Sequence, residues 1–542
     1  MIYSIDQNSN SLWDALPKLQ ALVSKGIKVH HFVEDVDVAF TAIGSAGKQQ
    51  PLKLTRERFH HSGGADWGAA LFYSRFLGKL PLDLRELEPY LGMKTSVLAR
   101  RLGRNIDDLY DEFSPGDNWQ LIGPSYVGDA RHHRTIADLK VSQTSNFLEE
   151  LMQLAQSDLL ERLPQEAPRR RIDEWFNNEK NLLAGLISKC RDSGLADLYR
   201  SWLKKYLGEQ AQLDLSSSLL AVEEDSAGTG LLELFISRYE QAGEIYNRVI
   251  AELGAGLRPL RMSDGELPFF AVFEHHGQVV RSGLYLAGPN IQVGEKTIPI
   301  GPKGRVSPDK LRQAGIRCLA GKAILLVTQA RMNPKGRPLA MVHRGSIYMP
   351  AAHMLVRLLK ERGWLDQTVN PIVRVRFGFL DLIRSIDDLI IRLPAHLAHA
   401  FGCEEIPASR LGAEYADLAR EASDRLESFK TPQGRHNWQK SQFPKLCSRI
   451  KELDSARRSQ AGNNPKDHSI RMLWKDAKEL ETHLLEETLR QVVCDFQVKN
   501  IDYWDSRGAL LPWSIALGGQ ELYHRLIANA QISEESSEQP DE

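Results

Sequence analysis

The sequence predicts a helix-rich, mixed α/β protein with a central mixed or antiparallel sheet region and large helical N- and C-terminal parts. Apolar residues recur at three- and four-residue spacing over most of 65–113, 135–212 and 378–530, which is typical of amphipathic helices. Short β-like runs separated by Gly and Asn occupy the middle of the chain. The 42% hydrophobic and 26% charged composition is that of a folded chain, and 542 residues exceed the size of one ordinary core.

The N-terminal part, residues 1–213, is expected to be a mainly helical domain with a small α/β start. A helical pattern and then a strand-like alternation fill residues 11–45, and a helical stretch runs from Ala65 to Phe113. Within it Asn105 precedes a helix that begins with acidic residues, as an N-cap does. Residues 114–134 show neither period and are predicted to be an irregular loop.

A small, polar stretch at 214–230 is expected to be a linker, followed by an α/β domain over 231–377. After a helix near 231–253, the runs PFFAVFEHH, VVRSGLYL, IQVG and TIPIG predict an antiparallel meander. Three further extended runs, KAILLVTQARM, RPLAMVHRG and PIVRVRF, surround a helix predicted at 350–362. This region is the candidate for the mixed sheet.

The C-terminal part is predicted to be a helical domain over 378–530 with an acidic, disordered tail at 531–542. The periodic run RMLWKDAKELETHLLEETLRQVVCDFQV indicates one extended helix packed on its neighbours.

Charge and cysteine usage limit the function classes. The net charge of −1 gives no overall field toward nucleic acid or an anionic membrane, so any electrostatic function is local. Five scattered cysteines without a CxxC pair argue against a disulfide framework and favour a reducing compartment. No apolar run approaches the roughly 18 residues that span a bilayer, and no signal peptide is recognisable at the start. We therefore expect a cytoplasmic, soluble protein without membrane contact.

The strongest local signal is a basic segment between Lys296 and Lys360. It contains thirteen Lys and Arg residues and a single acidic residue, Asp309. The tetrapeptide Pro-Lys-Gly-Arg occurs twice within it, at 302–305 and 334–337. Glycine between two cations permits a tight turn that presents N–H groups to a phosphate or carboxylate. The alternative is a pair of exposed turns with solvated charges. The substrate-binding candidates from this segment are Lys303, Arg305, Lys335, Arg337 and Arg344.

Histidine placement is the second signal, because eight of the sixteen histidines lie in four adjacent pairs. The pairs are His30-His31, His60-His61, His132-His133 and His275-His276. Imidazole titrates near neutral pH and also ligates metals, so acid–base and metal roles are both open, including a divalent metal as cofactor. The alternative for any pair is one packed and one exposed ring, since neighbours on a strand face opposite sides. The catalytic candidates are His132, His133, Asp129, His275 and His276.

The 114–134 segment adds polar-pocket candidates, namely Trp119, Tyr126 and Arg134. Aromatic faces beside hydroxyl groups and a cation are typical of a polar ligand pocket, whereas an ordered connection would use Trp119 and Tyr126 as anchors.

Two functions are consistent with these signals. The first is a cytosolic enzyme acting on a phosphorylated or otherwise anionic small molecule through histidine acid–base or metal chemistry. The second is a nucleic-acid-binding or scaffolding protein that uses the basic segment 296–360, with a protein partner or a second copy of the chain on its helical part. Under the first, changing Arg305 and Arg337 together to Ala should weaken ligand binding while leaving the melting temperature nearly unchanged.

Overall fold

A computed structural model of the chain describes residues 1–5, 13, 15–37, 52–53, 71–74, 84–113, 119–123, 132–224, 226–253, 257–343, 348–463, 468–499 and 510–535. All statements about the fold concern these residues.

A six-stranded, mostly parallel sheet brings together strands from distant parts of the chain. Its strands are β1 (Ile2–Ile5), β2 (Val29–Val33), β7 (Ala211–Leu215), β13 (Leu339–Val342), β14 (Ile372–Arg376) and β17 (Gln531–Glu535). Their order is β17-β14-β13-β1-β2-β7, and only the edge strand β17 is antiparallel to its neighbour. The chain passes from β1 to one side of the sheet and later to the other, which makes the carboxyl ends of β1 and β13 a topological switch point.

A second sheet is antiparallel and contains the predicted meander. Its strands are β6 (His133–Arg134), β8 (Glu266–His275), β9 (Gln278–Ala287), β10 (Asn290–Val293), β11 (Lys296–Pro299) and β12 (Ile316–Gly321). The order is β11-β10-β9-β8-β12, with β6 paired to β9. Two small sheets complete the strands: β3 (Leu52–Lys53), β4 (Leu71–Ser74) and β5 (Trp119–Gly123) in one, and β15 (Ile390–Arg392) and β16 (Glu405–Pro407) in the other.

Helices account for most of the remaining described residues. They are α1 (Leu16–Ser24), α2 (Glu88–Leu91), α3 (Thr95–Leu102), α4 (Ile106–Phe113), α5 (Val141–Arg162), α6 (Glu166–Lys189), α7 (Leu195–Leu207), α8 (Ser216–Leu219), α9 (Ala227–Ser237), α10 (Tyr239–Leu253), α11 (Pro308–Gln313), α12 (Ile324–Arg331), α13 (Met349–Glu361), α14 (Phe379–Ile383), α15 (Ala395–Phe401), α16 (Ala408–Phe429), α17 (Pro432–Gln442), α18 (Pro444–Asn463), α19 (His468–Val498) and α20 (Leu510–Asn529). Short 3₁₀ turns lie at Leu84–Leu87, Ile136–Asp138, Met262–Asp264 and Pro302–Gly304.

Both faces of the parallel sheet are covered, as such sheets require. One face joins the largest core, which combines Leu16 of α1, Trp202 of α7 and Trp513 of α20. The opposite face packs Tyr3 and Met341 against α12 and α13. The antiparallel sheet has its own core with α9, α10 and α13. Alternation along β1 and β2 therefore places successive side chains on different cores.

The predicted helix-rich, mixed α/β fold class is confirmed, as are the four-strand meander, the helix near 350–362 and the long helix α19. Asn105 caps α4 as expected, since its Oδ1 accepts a hydrogen bond from the Asp108 amide at 2.7 Å. No helix among the described residues combines the length and apolarity needed to cross a bilayer.

Several element predictions were wrong. The run KAILLVTQARM, expected to be extended, forms helix α12; most of this helix is buried, and a short, mainly apolar run fits either element. Strand β4 lies within the stretch predicted to be helical from Ala65, and β5 and β6 lie within the predicted irregular loop. Gln531–Glu535, the start of the expected disordered tail, pair with β14 as β17, while residues 536–542 lie outside the described residues.

The predicted domain limits can be compared with the strands of the parallel sheet. The parallel sheet draws β1, β2 and β7 from the N-terminal third of the chain, β13 and β14 from its middle, and β17 from its end. The limits at 213, 231 and 378 therefore do not coincide with the edges of this sheet, and the division into domains stays a prediction.

Candidate active site

Three imidazoles from two predicted histidine pairs meet at one end of the antiparallel sheet. His275 ends β8, and His276 with Gly277 forms the two-residue turn into β9. Both turn residues have positive φ, 50° and 76°, as the tight hairpin turn matched to strand twist requires. His132 directly precedes β6, which pairs with β9 through His133 and Arg281 on the edge opposite to β8, so that only β9 separates it from β8.

The rings contact each other closely. The ring centroids of His132 and His275 are 4.3 Å apart at an interplanar angle of 34°, and those of His275 and His276 are 4.1 Å apart. His132 Nδ1 lies 2.7 Å from Ser282 Oγ, which fixes the orientation of its ring. His132 and His275 are partly buried and His276 is exposed, so the group formed by His132, His275 and His276, here called the histidine cluster, is accessible from solvent.

The backbone of the neighbouring hairpin is shaped to admit His132. Gly294, between β10 and β11, has φ +57°, and a Cβ built on it would lie 2.3 Å from His132 Cε1. A side chain at this position would therefore displace the ring.

Cations lie around the histidine cluster. Lys296 Nζ is 5.2 Å from the ring centroid of Phe273, which itself makes edge contacts with His132 and His275. Arg317 pairs with Glu274, next to His275, at 2.8 Å. An imidazole can act as an acid or a base, and an ammonium group attracts an anion.

A second polar group lies at the carboxyl end of β2, one strand from the switch point at β1 and β13. Glu34 is buried, and its Oε1 accepts hydrogen bonds from the amides of Val36 and Asp37 at 2.7 and 3.0 Å. Burial raises the pKa of Glu34 to about 8, with repulsion from Asp37 and Asp35 adding to it. Glu34 is therefore protonated at neutral pH.

Serines at the start of α8 hold the next carboxyl group. Asp35 Oδ1 accepts hydrogen bonds from the Ser217 amide at 2.7 Å and from Ser216 Oγ at 2.8 Å, and Ser217 Oγ donates to Oδ2 at 2.6 Å. Burial raises the pKa of Asp35 against these hydrogen bonds. Ser216 Oγ also lies 3.0 Å from Glu34 Oε1, so one hydroxyl is shared by two carboxyl groups.

This acidic group joins the two sheets. Asp37 pairs with Arg281 of β9 at 2.8 Å, and the guanidinium of Arg281 lies 4.3 Å from the centre of the Phe270 ring. Tyr348, at the start of α13, has its pKa raised by burial and by Asp37. These acids follow the strand-like run that contains His30-His31, and their position at the end of a strand of a parallel sheet is the sequence signal for this edge.

The first histidine pair faces opposite sides of β2, as strand geometry predicts. His30 Nε2 lies 2.7 Å from Asp214 Oδ2, and His31 Nδ1 lies 3.0 Å from Ser4 Oγ in the sheet interior. Burial lowers the pKa of His30, and Lys335 of the second Pro-Lys-Gly-Arg turn contributes in the same direction. That turn therefore lies near His30.

The two Pro-Lys-Gly-Arg turns have no contact residue in common. Gly304 of the first packs against Ser237 at the end of α9, and Lys303 and Arg305 are exposed. In the second, the Arg337 amide donates to Asn333 Oδ1 at 3.0 Å. Among the described residues, the hydrogen bonds of these two turns do not involve the histidine cluster.

The remaining predicted site residues are distributed as follows. Arg134 is buried and pairs with Asp138 at 2.5 Å, next to His133. Trp119 is the first residue of β5. Asp129, Tyr126, Arg344 and the pair His60-His61 lie outside the described residues.

Within the described ranges, no three His, Cys, Asp or Glu side chains are arranged to hold a metal ion. No protein-family model matches the chain, and no curated protein sequence matches it significantly.

Proposed function

We propose that the protein is a cytoplasmic enzyme that acts on a phosphorylated or otherwise anionic small molecule, with the histidine cluster as its acid–base group. One observation carries the proposal: His132 and His275, far apart in the chain, have their rings 4.3 Å apart on an accessible surface. A cytoplasmic location agrees with the free thiols of all five cysteines.

Acid–base catalysis suits this geometry because an imidazole can both donate and accept a proton, and two rings in contact can serve one bound substrate. Ser282 orients His132 for this role.

Lys296 is the cation that we assign to the substrate anion. It is one of the thirteen cations of the basic segment and sits against Phe273, which contacts two rings of the histidine cluster. Arg317 and Arg281 are already paired with Glu274 and Asp37. The candidates for a separate anion contact stay Lys303, Arg305, Lys335 and Arg337, because the hydrogen bonds described for their turns do not involve these imidazoles.

The test is calorimetric titration of the full chain with sugar phosphates, nucleotides and polycarboxylates. For a compound that binds, Lys296→Ala should weaken affinity by roughly tenfold or more, the effect of losing one charge-assisted contact. His275→Gln should abolish turnover of that compound while leaving its affinity within about threefold. The double variant Arg305→Ala/Arg337→Ala, which the sequence predicts to weaken ligand binding, is the comparison, and binding that depends on this pair rather than on Lys296 would contradict the assignment of Lys296.

The nucleic-acid alternative makes a different prediction. Affinity for RNA or DNA that rests on phosphate contacts falls steeply with salt through counterion release. A salt titration with labelled RNA and DNA separates the two functions, because negligible binding at low salt removes the alternative. Tight binding with a steep salt slope would replace the enzyme proposal.

A further inference from the structure

The first Pro-Lys-Gly-Arg turn, residues 302–305, lies against the end of α9. A Cβ built on Gly304 would lie 3.0 Å from Ser237 Cβ, so the turn approaches the last residue of α9 more closely than a Cβ normally packs. Gly304 is left-handed with φ 79°, and Lys303 before it is left-handed with φ 62°. Left-handed residues other than glycine are uncommon, and they cluster at ligand-binding segments.

Two arginines beside this turn lie against one tryptophan ring. Arg238 directly follows Ser237, and its guanidinium carbon is 4.7 Å from the centroid of the Trp364 ring. Arg362 directly follows α13, and its guanidinium carbon is 5.5 Å from the same centroid. The two groups are therefore no farther apart than the sum of these distances. A guanidinium held against an aromatic ring can still donate its N–H groups to an oxyanion.

Four cations thus lie near the end of α9, namely Lys303, Arg305, Arg238 and Arg362. All four side chains are exposed, and within the described part of the chain none of them is in an ion pair. Cations gathered in this way repel one another and raise the local positive potential, which a bound anion offsets.

We propose that these four cations, here called the α9 cation site, bind a ligand with two or more phosphoryl groups. Each phosphoryl group carries at least one negative charge, so several of them match four cations better than a single carboxylate does. Because both guanidinium groups lie against Trp364, we assign its ring to holding them and not to stacking on a base. The proposal uses neither the histidine cluster nor Lys296, so it stands if the proposed enzymatic function fails.

Calorimetric titration of the full chain with tripolyphosphate tests the site. Lys296→Ala serves as the starting protein, because it lacks the anion contact assigned to the histidine cluster. Adding Lys303→Ala and Arg305→Ala should weaken the affinity for tripolyphosphate by roughly tenfold or more, since charge-assisted contacts are lost. Adding Lys335→Ala and Arg337→Ala, the same change in the second turn, should leave the affinity within about threefold. ATP should bind like tripolyphosphate, and inorganic phosphate more weakly.

A change that keeps every charge tests the geometry of the site. Gly304→Ala and Gly336→Ala both strain a left-handed backbone, because φ is 79° and 63°. At Gly304 the new Cβ crowds Ser237 of α9, whereas at Gly336 the nearest atom is Asn370 Oδ1 at 4.0 Å. Gly304→Ala should therefore move the first turn away from Arg238 and weaken tripolyphosphate binding by about threefold or more, and Gly336→Ala should not.

Three results would overturn the site. The first is loss of tripolyphosphate binding in Lys296→Ala itself, which would place the binding at the histidine cluster. The second is an equal affinity in the variants of the two turns. The third is displacement of tripolyphosphate by RNA at a lower concentration of phosphate groups, which would assign these cations to a nucleic-acid backbone. The charge variants replace exposed side chains, so their Tm should stay close to that of Lys296→Ala.

Discussion

The histidine cluster depends on a single residue that has no side chain. Gly294 combines φ +57° with a Cβ position 2.3 Å from His132 Cε1, whereas Gly288, one hairpin away, has φ +58° with nothing within 4 Å of its Cβ position. Alanine at either position incurs the strain of a left-handed backbone, about 1–2 kcal/mol. Only at Gly294 would the alanine side chain also have to displace the ring of His132.

We therefore predict that Gly294→Ala lowers the free energy of unfolding by more than Gly288→Ala does, by about 1–3 kcal/mol. Chemical denaturation of the two variants measures the difference. Combining Gly294→Ala with His132→Ala should remove the excess, because the clash partner is gone. Equal destabilisation in the two single variants would mean that His132 does not occupy this position.

Glu34 predicts a pH dependence of stability. Its pKa in the folded chain, about 8, lies above the ordinary value of 4.5, so the folded state binds more protons than the unfolded state between these values. Stability supplied by this group is fully present below about pH 4.5 and is lost as the pH rises through about 8. The pKa of Glu34 is raised because the carboxyl group is buried and lies near Asp37 and Asp35, which disfavour its charged form.

Glu34→Gln should flatten the fall in unfolding free energy between pH 5 and pH 8.5 by an amount on the order of a few kcal/mol. The amide oxygen can still accept from Val36, Asp37 and Ser216, so the fold should be kept. Denaturation midpoints across this pH range provide the measurement. A variant with the same slope as the parent chain would show that Glu34 is not the group that titrates.

At the scale of elements, the sequence predicted a feature correctly where residues within one element determine it. Asn105 is an example, because capping involves residues within one turn, and its hydrogen bond to the Asp108 amide is present. We predict that Asn105→Ala destabilises the chain by about 1 kcal/mol and that Asn105→Asp does not. Thermal unfolding of both variants tests this, and no loss in the alanine variant would contradict the cap.

Elements whose identity depends on distant partners could not be predicted in the same way. Ile324–Arg331 is buried over most of its length, including the polar residues Thr328, Gln329 and Arg331, so its pattern did not distinguish a buried helix from a strand. Gln531–Glu535 is polar and acidic, and becomes a strand because β14 offers a free edge and Arg374 offers a counter-charge to Glu535. Neither condition is visible in the residues themselves.

In the candidate site, too, local features could be predicted from the sequence and contacts between distant residues could not. The histidine pairs were visible in the sequence, and the odd–even geometry of a strand predicted that His30 and His31 would face opposite sides. The meeting of His132 with His275 required the pairing of β6 with β9. Buried charge such as Arg331 is similarly invisible, since a cation in a basic segment is expected at the surface.

At the scale of the whole molecule, the parallel sheet determines which parts of the chain can fold alone. Its central strand β1 lies between β2 and β13, and the largest core combines Leu22, Trp202, Phe379 and Trp513. Ala221, within the predicted linker, bridges to Cys318 of β12, and the Leu319 amide donates to the Leu220 carbonyl at 3.0 Å. Chain on both sides of residue 224 therefore contributes to one sheet and one core.

This arrangement predicts the behaviour of a chain split between Glu224 and Asp225. Residues 1–224 would lack β13 and β14, leaving β1 with an open edge and the large core half exposed. Co-expressed halves, with a tag on one, should co-purify and unfold in one transition close to that of the intact chain. Halves produced separately should be insoluble or should bind a hydrophobic dye, because each exposes core surface. A soluble 1–224 fragment with a cooperative transition of its own would instead support the domain limit predicted at 214–230, and the shared sheet would then be a docking interface between independently folded parts.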